Sequence, residues 1–277
     1  MTRPGELARG PLRSGERVLL VDARRRRYLT TLHTGGSFHT HAGIVAHDDL
    51  IGGPEGVEVS STTGRRFVAV RPTMADTVLK MPRGAQVIYP KDLGAILIAA
   101  DIGPGARVLE AGVGSGALSM ALLRAGAEVV GYEVRADFAS RAHTNVVAWM
   151  GEDVAYRVEE RDVYDGIDER ELDRVVLDLP EPWRALEPAR RALRPGGILL
   201  AYLPSITQVA ELRASMDASG FGLAETSELL RRTWHIEDRS VRPDHRMVAH
   251  TGFITTGRLL AVGGGAAPGG GAATPSR

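Results

Sequence analysis

The chain of 277 residues carries 34 basic and 34 acidic side chains, giving a formal net charge of zero, and 43% of it is hydrophobic. This balance suits a soluble globular protein with a packed core and excludes a global field for nucleic acid, so any such binding has to come from local patches. There are no cysteines, which excludes disulfides and thiolate metal sites, and no apolar run approaches the roughly 18 residues of a membrane span. The first ten residues lack the apolar core of a signal peptide, so a cytoplasmic location is expected.

Residues 1–80 read as a small β-rich domain. Arg17–Asp22, Arg27–Leu32 and Phe67–Val70 are short β-type runs separated by glycine and polar turns. Arg24, Arg25, Arg26 and Arg27 put four positive charges into one turn, read either as a solvated hairpin or as a grip on a phosphate backbone. Four histidines follow between His33 and His47. Alternation along a strand would set His39 and His41 on one face, as a metal site requires, but no cysteine or acidic ligand joins them, and packing is favoured over metal. Tyr89 precedes Pro90 and is therefore held extended, a candidate for stacking on a base or for a buried hinge, while Asp92 is expected to cap a helix over Leu93–Ala100.

From Arg107 onward strands and helices alternate, which predicts a Rossmann-like, mostly parallel sheet with helices on both faces over residues 81–262. Arg107–Ala111, Glu128–Glu133, Tyr156–Val158, Asp173–Asp178 and Ile198–Tyr202 read as strands, with helices over Ala136–Trp149 and Thr207–Ser219 and a turn at Pro195–Gly197. An antiparallel hairpin, Leu223–Leu230 against Val248–Leu260, closes the domain, and residues 263–277 form a glycine-, alanine- and proline-rich tail too poor in apolar bulk to order itself.

The first strand runs straight into Gly112-Val-Gly114-Ser115-Gly116-Ala117-Leu118. Three glycines remove Cβ atoms where the chain turns, and the following helix start offers free N–H groups to electron-rich ligand atoms. The spacing also satisfies a dinucleotide fingerprint. Glu110, at the carboxyl end of that strand, would repel a pyrophosphate and welcome a cation, which favours S-adenosylmethionine. Glu133 suits the ribose hydroxyls of either cofactor, so it does not discriminate. Asp162 and Asp178 end later strands at the same edge, and Asp178-Leu-Pro-Glu-Pro-Trp183 adds rigid prolines and an aromatic.

These residues, with His39–Gly52, Tyr89-Pro-Lys-Asp92, Ala201–Gln208 and His250-Thr-Gly-Phe253, make the chain resemble the bacterial and archaeal tRNA (adenine-58-N1)-methyltransferases over nearly its whole length. The resemblance implies a class I methyltransferase fold with a seven-stranded sheet, methyl transfer from S-adenosylmethionine to N1 of a T-loop adenine, a tRNA partner and a homotetramer. It sets the cofactor on Ser115, Gly116, Ala117 and Leu118, with Glu133 at the ribose and Asp162 at the adenine, and Phe138 stands where relatives contact the cofactor. Glu110, Gly112, Gly114 and Asp178 complete the expected cofactor-binding set, and Asp178 and Tyr89 are the candidate catalytic residues. Alternatives are a methyltransferase on another substrate, an NAD(P) oxidoreductase, disfavoured by Glu110, and a non-catalytic RNA-binding subunit.

Overall fold

A computed structural model describes residues 8–84 and 86–261; the expectations for the extreme N-terminus and for the tail over 263–277 lie outside the described residues. The N-terminal part contains strands β1 (Arg17–Asp22), β2 (Arg27–Thr31), β3 (Ser37–Thr40), β4 (Gly43–Ala46), β5 (Val57–Ser60) and β6 (Arg66–Val70). Four of them form a sheet in the order β2-β1-β6-β5, and β3 and β4 make a separate hairpin. In β6 Phe67 and Ala69 alternate inward, and with Leu12, Val18, Leu20 and Leu32 they fill a core of their own.

Then come α1 (Met74–Lys80), α2 (Pro90–Ala99), β7 (Arg107–Ala111), α3 (Ala117–Arg124), β8 (Glu128–Glu133), α4 (Ala136–Met150), β9 (Tyr156–Glu160), β10 (Leu172–Leu177), α5 (Leu186–Ala192), β11 (Leu193–Leu203), α6 (Ile206–Ala218), β12 (Phe221–Glu228), β13 (Trp234–Glu237), β14 (Ser240–Pro243) and β15 (Phe253–Leu259). Seven strands form one sheet, β12-β15-β11-β10-β7-β8-β9. Neighbours from β11 to β9 run parallel, and β15 is the antiparallel strand slotted between β11 and β12. The parallel strands are buried on both faces, so their apolar runs are nearly continuous. On one face α2, α3 and α4 cover a core that includes Ile96, Met120, Leu122 and Val146; on the other α5 and α6 cover Leu109, Val175, Leu199 and Leu212.

The structure departs from the sequence reading at several places. Tyr89, not Asp92, is the N-cap of α2, and Asp92 lies fully buried in the first turn because other side chains claim its carboxylate. Strand β3 ends at Thr40, so His39 and His41 do not share a strand face: His39 contacts the Ser37 hydroxyl and His41 the guanidinium of Arg26. Pro195–Gly197 runs within β11, its irregularity absorbed as a register shift against β10. Finally, the long connection before β15 contains the hairpin β13-β14, whose apolar residues Trp234, Ile236 and Val241 are exposed. Helix α1 also joins the larger core through Val78, next to Met81.

Candidate active site

Strand β7 is hydrogen-bonded on one side to β10 and on the other to β8. Their carboxyl ends therefore deliver Glu110, Glu133 and Asp178 to one edge of the sheet, where ligands of open α/β folds bind. The chain leaves β7 through Gly112, Gly114 and Gly116, all with positive φ (84°, 57° and 83°). At Gly112 the absent side chain decides the packing, since a Cβ there would lie 2.2 Å from the carbonyl oxygen of Asp178. The Asp178 amide in turn donates to the Ala111 carbonyl at 2.9 Å, so turn and aspartate are locked together.

Each carboxylate is held differently. Both oxygens of Glu133 accept backbone amides, from Gly114 at 3.0 Å and Arg135 at 3.1 Å, which fixes the acid against the glycine turn. Glu110 is buried beneath the turn and accepts the Ser119 hydroxyl at 2.6 Å. Burial pushes its carboxyl up to about 8, with the charges of Asp178 and Glu133 adding to the rise and Ser119 opposing it. Asp178 is half-buried, and no side chain among the described residues hydrogen-bonds its carboxylate. Desolvation, then the charge of Glu133, pushes it up to about 7. A cationic ligand would favour the charged forms of these acids, offsetting the burial that, ahead of their mutual repulsion, keeps protons on them.

Two further features fit a bound cofactor. The Ser115 hydroxyl is buried without a hydrogen-bond partner among the described residues, an orphan in the turn that a ligand could satisfy. Ala117 opens α3 after Gly116, leaving first-turn N–H groups without intrahelical partners. Leu118 has only its backbone available at the turn, because its side chain belongs to the core. The structure places Phe138 on α4, buried, with the guanidinium of Arg135 4.0 Å above its ring. Asp162 is brought to the same edge but spends one oxygen capping a short turn, accepting the Tyr164 amide at 2.9 Å. Tyr89 stands at the start of α2, half-buried, its carbonyl accepting the amides of Asp92 and Leu93.

Sequence reasoning missed Ser119, whose only signal is its place one turn into α3, and Asn145, whose amide donates to the carbonyls of Ser115 (3.0 Å) and Pro82 (3.1 Å) and so ties the segment before α2 to the glycine turn. Gln208 braces the loop after β10 by donating to the Pro180 carbonyl at 2.9 Å. Among the described residues no group of three or more histidine or acidic side chains is placed to hold a metal ion.

A seven-stranded sheet of this order, with a glycine turn and an acidic cluster at its carboxyl edge, defines a Rossmann-like class I methyltransferase. Residues 67–252 match the family described as the tRNA methyltransferase complex GCD14 subunit, and residues 10–59 match the TrmI-like N-terminal family. The chain belongs to the GCD14/TrmI family. It is 41% identical to the tRNA (adenine(58)-N(1))-methyltransferase TrmI of Thermus thermophilus, over 86% of this chain and 94% of that protein. It is 37% identical to the tRNA (adenine(57)-N(1)/adenine(58)-N(1))-methyltransferase TrmI of Methanocaldococcus jannaschii, over 87% and 94%. Among solved structures it superposes on a SAM-dependent O-methyltransferase from Thermotoga maritima with a TM-score of 0.86 at 31% identity, covering 92% of this chain and 96% of that one. The tRNA (m1A58) methyltransferase TrmI from Aquifex aeolicus gives 0.81 at 30% identity, covering 91% and 100%.

Proposed function

We propose that this chain transfers the methyl group of S-adenosylmethionine to N1 of adenine 58 in the T-loop of tRNA. The observation that carries this reading is the match to the Thermus thermophilus tRNA methyltransferase, which spans 94% of that protein. When bound, the cofactor supplies a methyl carbon made electrophilic by a sulfonium and leaves as a neutral thioether. Glu133 holds the ribose hydroxyls, the turn from Gly112 to Leu118 holds the remainder through its backbone and the Ser115 hydroxyl, and Asp162 and Phe138 flank the cofactor's adenine.

Neutral adenine already carries a lone pair at N1, so no deprotonation has to precede attack; the barrier lies in alignment and the exclusion of water. Asp178, as its carboxylate, accepts a hydrogen bond from the exocyclic amino group of the target base. It thereby orients N1 and stabilises the positive charge the ring acquires as the N–C bond forms. Tyr89 stacks on the extruded base, offsetting part of the few kcal/mol that unstacking costs.

Residues 1–80 serve tRNA contact and assembly, and 81–262 carry the chemistry. Two of the four clustered arginines are tied to acids, Arg26 to Asp22 at 2.7 Å and Arg27 to Asp76 at 2.5 Å, while Arg24 and Arg25 are exposed and better suited to phosphate. A homotetramer in the cytoplasm is the working assembly, a reading supported by the exposed apolar residues of the β13-β14 arm, which a second copy would cover. No helix among the described residues is long and apolar enough to cross a membrane.

The test is transfer of labelled methyl from S-adenosylmethionine to unmodified tRNA, with nuclease mapping of the product and Asp178→Ala as control. One N1-methyladenosine at position 58, absent with the variant, is the expected result. Label at position 57 as well would align the chain with its Methanocaldococcus jannaschii relative, and cofactor binding without RNA labelling would overturn the tRNA assignment.

A further inference from the structure

Lys91 is almost wholly buried, and its ammonium has three acceptors: Asp92 Oδ1 at 2.7 Å, the Leu229 carbonyl at 2.6 Å and Thr251 Oγ1 at 2.6 Å. Asp92 is buried completely, and its second oxygen accepts the Thr251 hydroxyl at 2.6 Å and the Tyr202 phenol at 3.2 Å. This closed network ties together the first turn of α2, the end of β11, the chain beyond β12 and the chain before β15. A buried ion pair is poor value for stability alone, since apolar residues of similar size often do as well. What the network fixes is geometry.

Both ends of that geometry reach the site. The Tyr89 carbonyl accepts the amides of Asp92 and Leu93 at 2.8 and 3.0 Å, which ties the Tyr89 backbone to the helix turn that carries Asp92. On the other side Leu177 of β10 pairs with Ala201 of β11, which sets Asp178 and Tyr202, the next residues, side by side at the sheet edge. The negative charge of Asp178 is among the causes that raise the Tyr202 phenol. The main chain of Gly252 lies so close across the Tyr202 ring that a Cβ there would be 2.4 Å from its Cζ, which traps the ring where the bolt holds its hydroxyl.

We infer that Lys91, Asp92 and Thr251 are positioning residues for methyl transfer: a buried bolt that sets Tyr89 and Tyr202 relative to Asp178, and so aligns the target base without touching it. The inference rests on the tRNA methyltransferase reading above.

The test compares full-length wild type with Thr251→Val, Thr251→Ser and Lys91→Met, measuring kcat and KM for tRNA together with S-adenosylhomocysteine affinity by calorimetry. Thr251→Val is the mild variant that keeps the test valid if Lys91→Met does not fold. The expected result is a fall in kcat of about tenfold or more, the scale of a small misalignment, with cofactor affinity unchanged and activity recovered by Thr251→Ser. An unchanged kcat, or a loss of cofactor affinity in step with kcat, overturns the bolt. A wild type that labels no tRNA instead overturns the functional reading, and the inference falls with it.

Discussion

Gly112 passes directly beneath the carbonyl of Asp178, with room for a hydrogen but not for a methyl group. The glycine turn and the acid proposed to hold the base are therefore set by one backbone contact. Gly112→Ala is expected to displace the Asp178 loop, lower stability by about 1–3 kcal/mol and abolish S-adenosylhomocysteine binding. Gly114 has positive φ but no atom of the described residues within 4 Å of its missing Cβ, so Gly114→Ala is expected to cost only about 1 kcal/mol. Thermal unfolding of the two variants side by side checks the difference.

Ser115 offers the opposite case. Its hydroxyl is buried and has no partner among the described residues, so Ser115→Ala is expected to leave the apo protein as stable or stabilise it by up to about 1 kcal/mol. If the hydroxyl binds the cofactor, the same change weakens binding several-fold, which calorimetry reads directly.

Cofactor binding is expected to depend on pH. Asp178 and Glu110 are held up to about 7 and about 8. Below these values they carry protons and attract a cation poorly. A cationic ligand favours their ionised forms and so expels protons. S-adenosylmethionine affinity should rise as pH increases through this window, with proton release seen as a buffer-dependent calorimetric enthalpy. A flat profile between pH 6 and 9 would sink this account.

Asp178 also leaves a mark on stability. Its carboxyl is raised in the folded state, so the fold holds a proton that the unfolded chain releases between pH 3.8, the ordinary value, and about 7. Stability from this group is full below the lower value and is lost as pH rises through the upper one, with a slope of at most about 1.4 kcal/mol per pH unit. Asp178→Asn removes that slope, so the variant should gain on wild type in urea titrations at pH 8 and not at pH 3.5.

The arginine run should divide in two. Asp22 is buried and accepts the side chain of Arg26 as well as two backbone amides. Replacing Arg26 should lower the denaturant midpoint, while replacing Arg24 and Arg25 together should leave it unchanged and reduce the salt slope of tRNA binding by about 1–2.

The alternation of elements from Arg107 onward was legible because parallel strands buried on both faces are written as short apolar runs, and a glycine turn announces itself by composition. The acids Glu110, Glu133 and Asp178 were legible as a group because strand ends share an edge. The role of Asp92 was not. An aspartate after Tyr-Pro-Lys looks like a cap, and nothing local says that Thr251 and Tyr202, more than a hundred residues away, will claim its oxygens. The β13-β14 arm was equally hidden, since arginines and single apolar residues in a long connection give no clean alternation.

The chain contains only two lysines, Lys80 and Lys91. Lys80 is exposed, while the Lys91 side chain is 5% exposed with all three of its donors engaged. Amine-reactive chemistry therefore has an internal clock built into this protein. Modification of Lys80 records simple contact with reagent, and modification of Lys91 requires the segment that joins Tyr89 to the sheet to open, so that the ratio of two peptides in a digest reports how readily that segment opens.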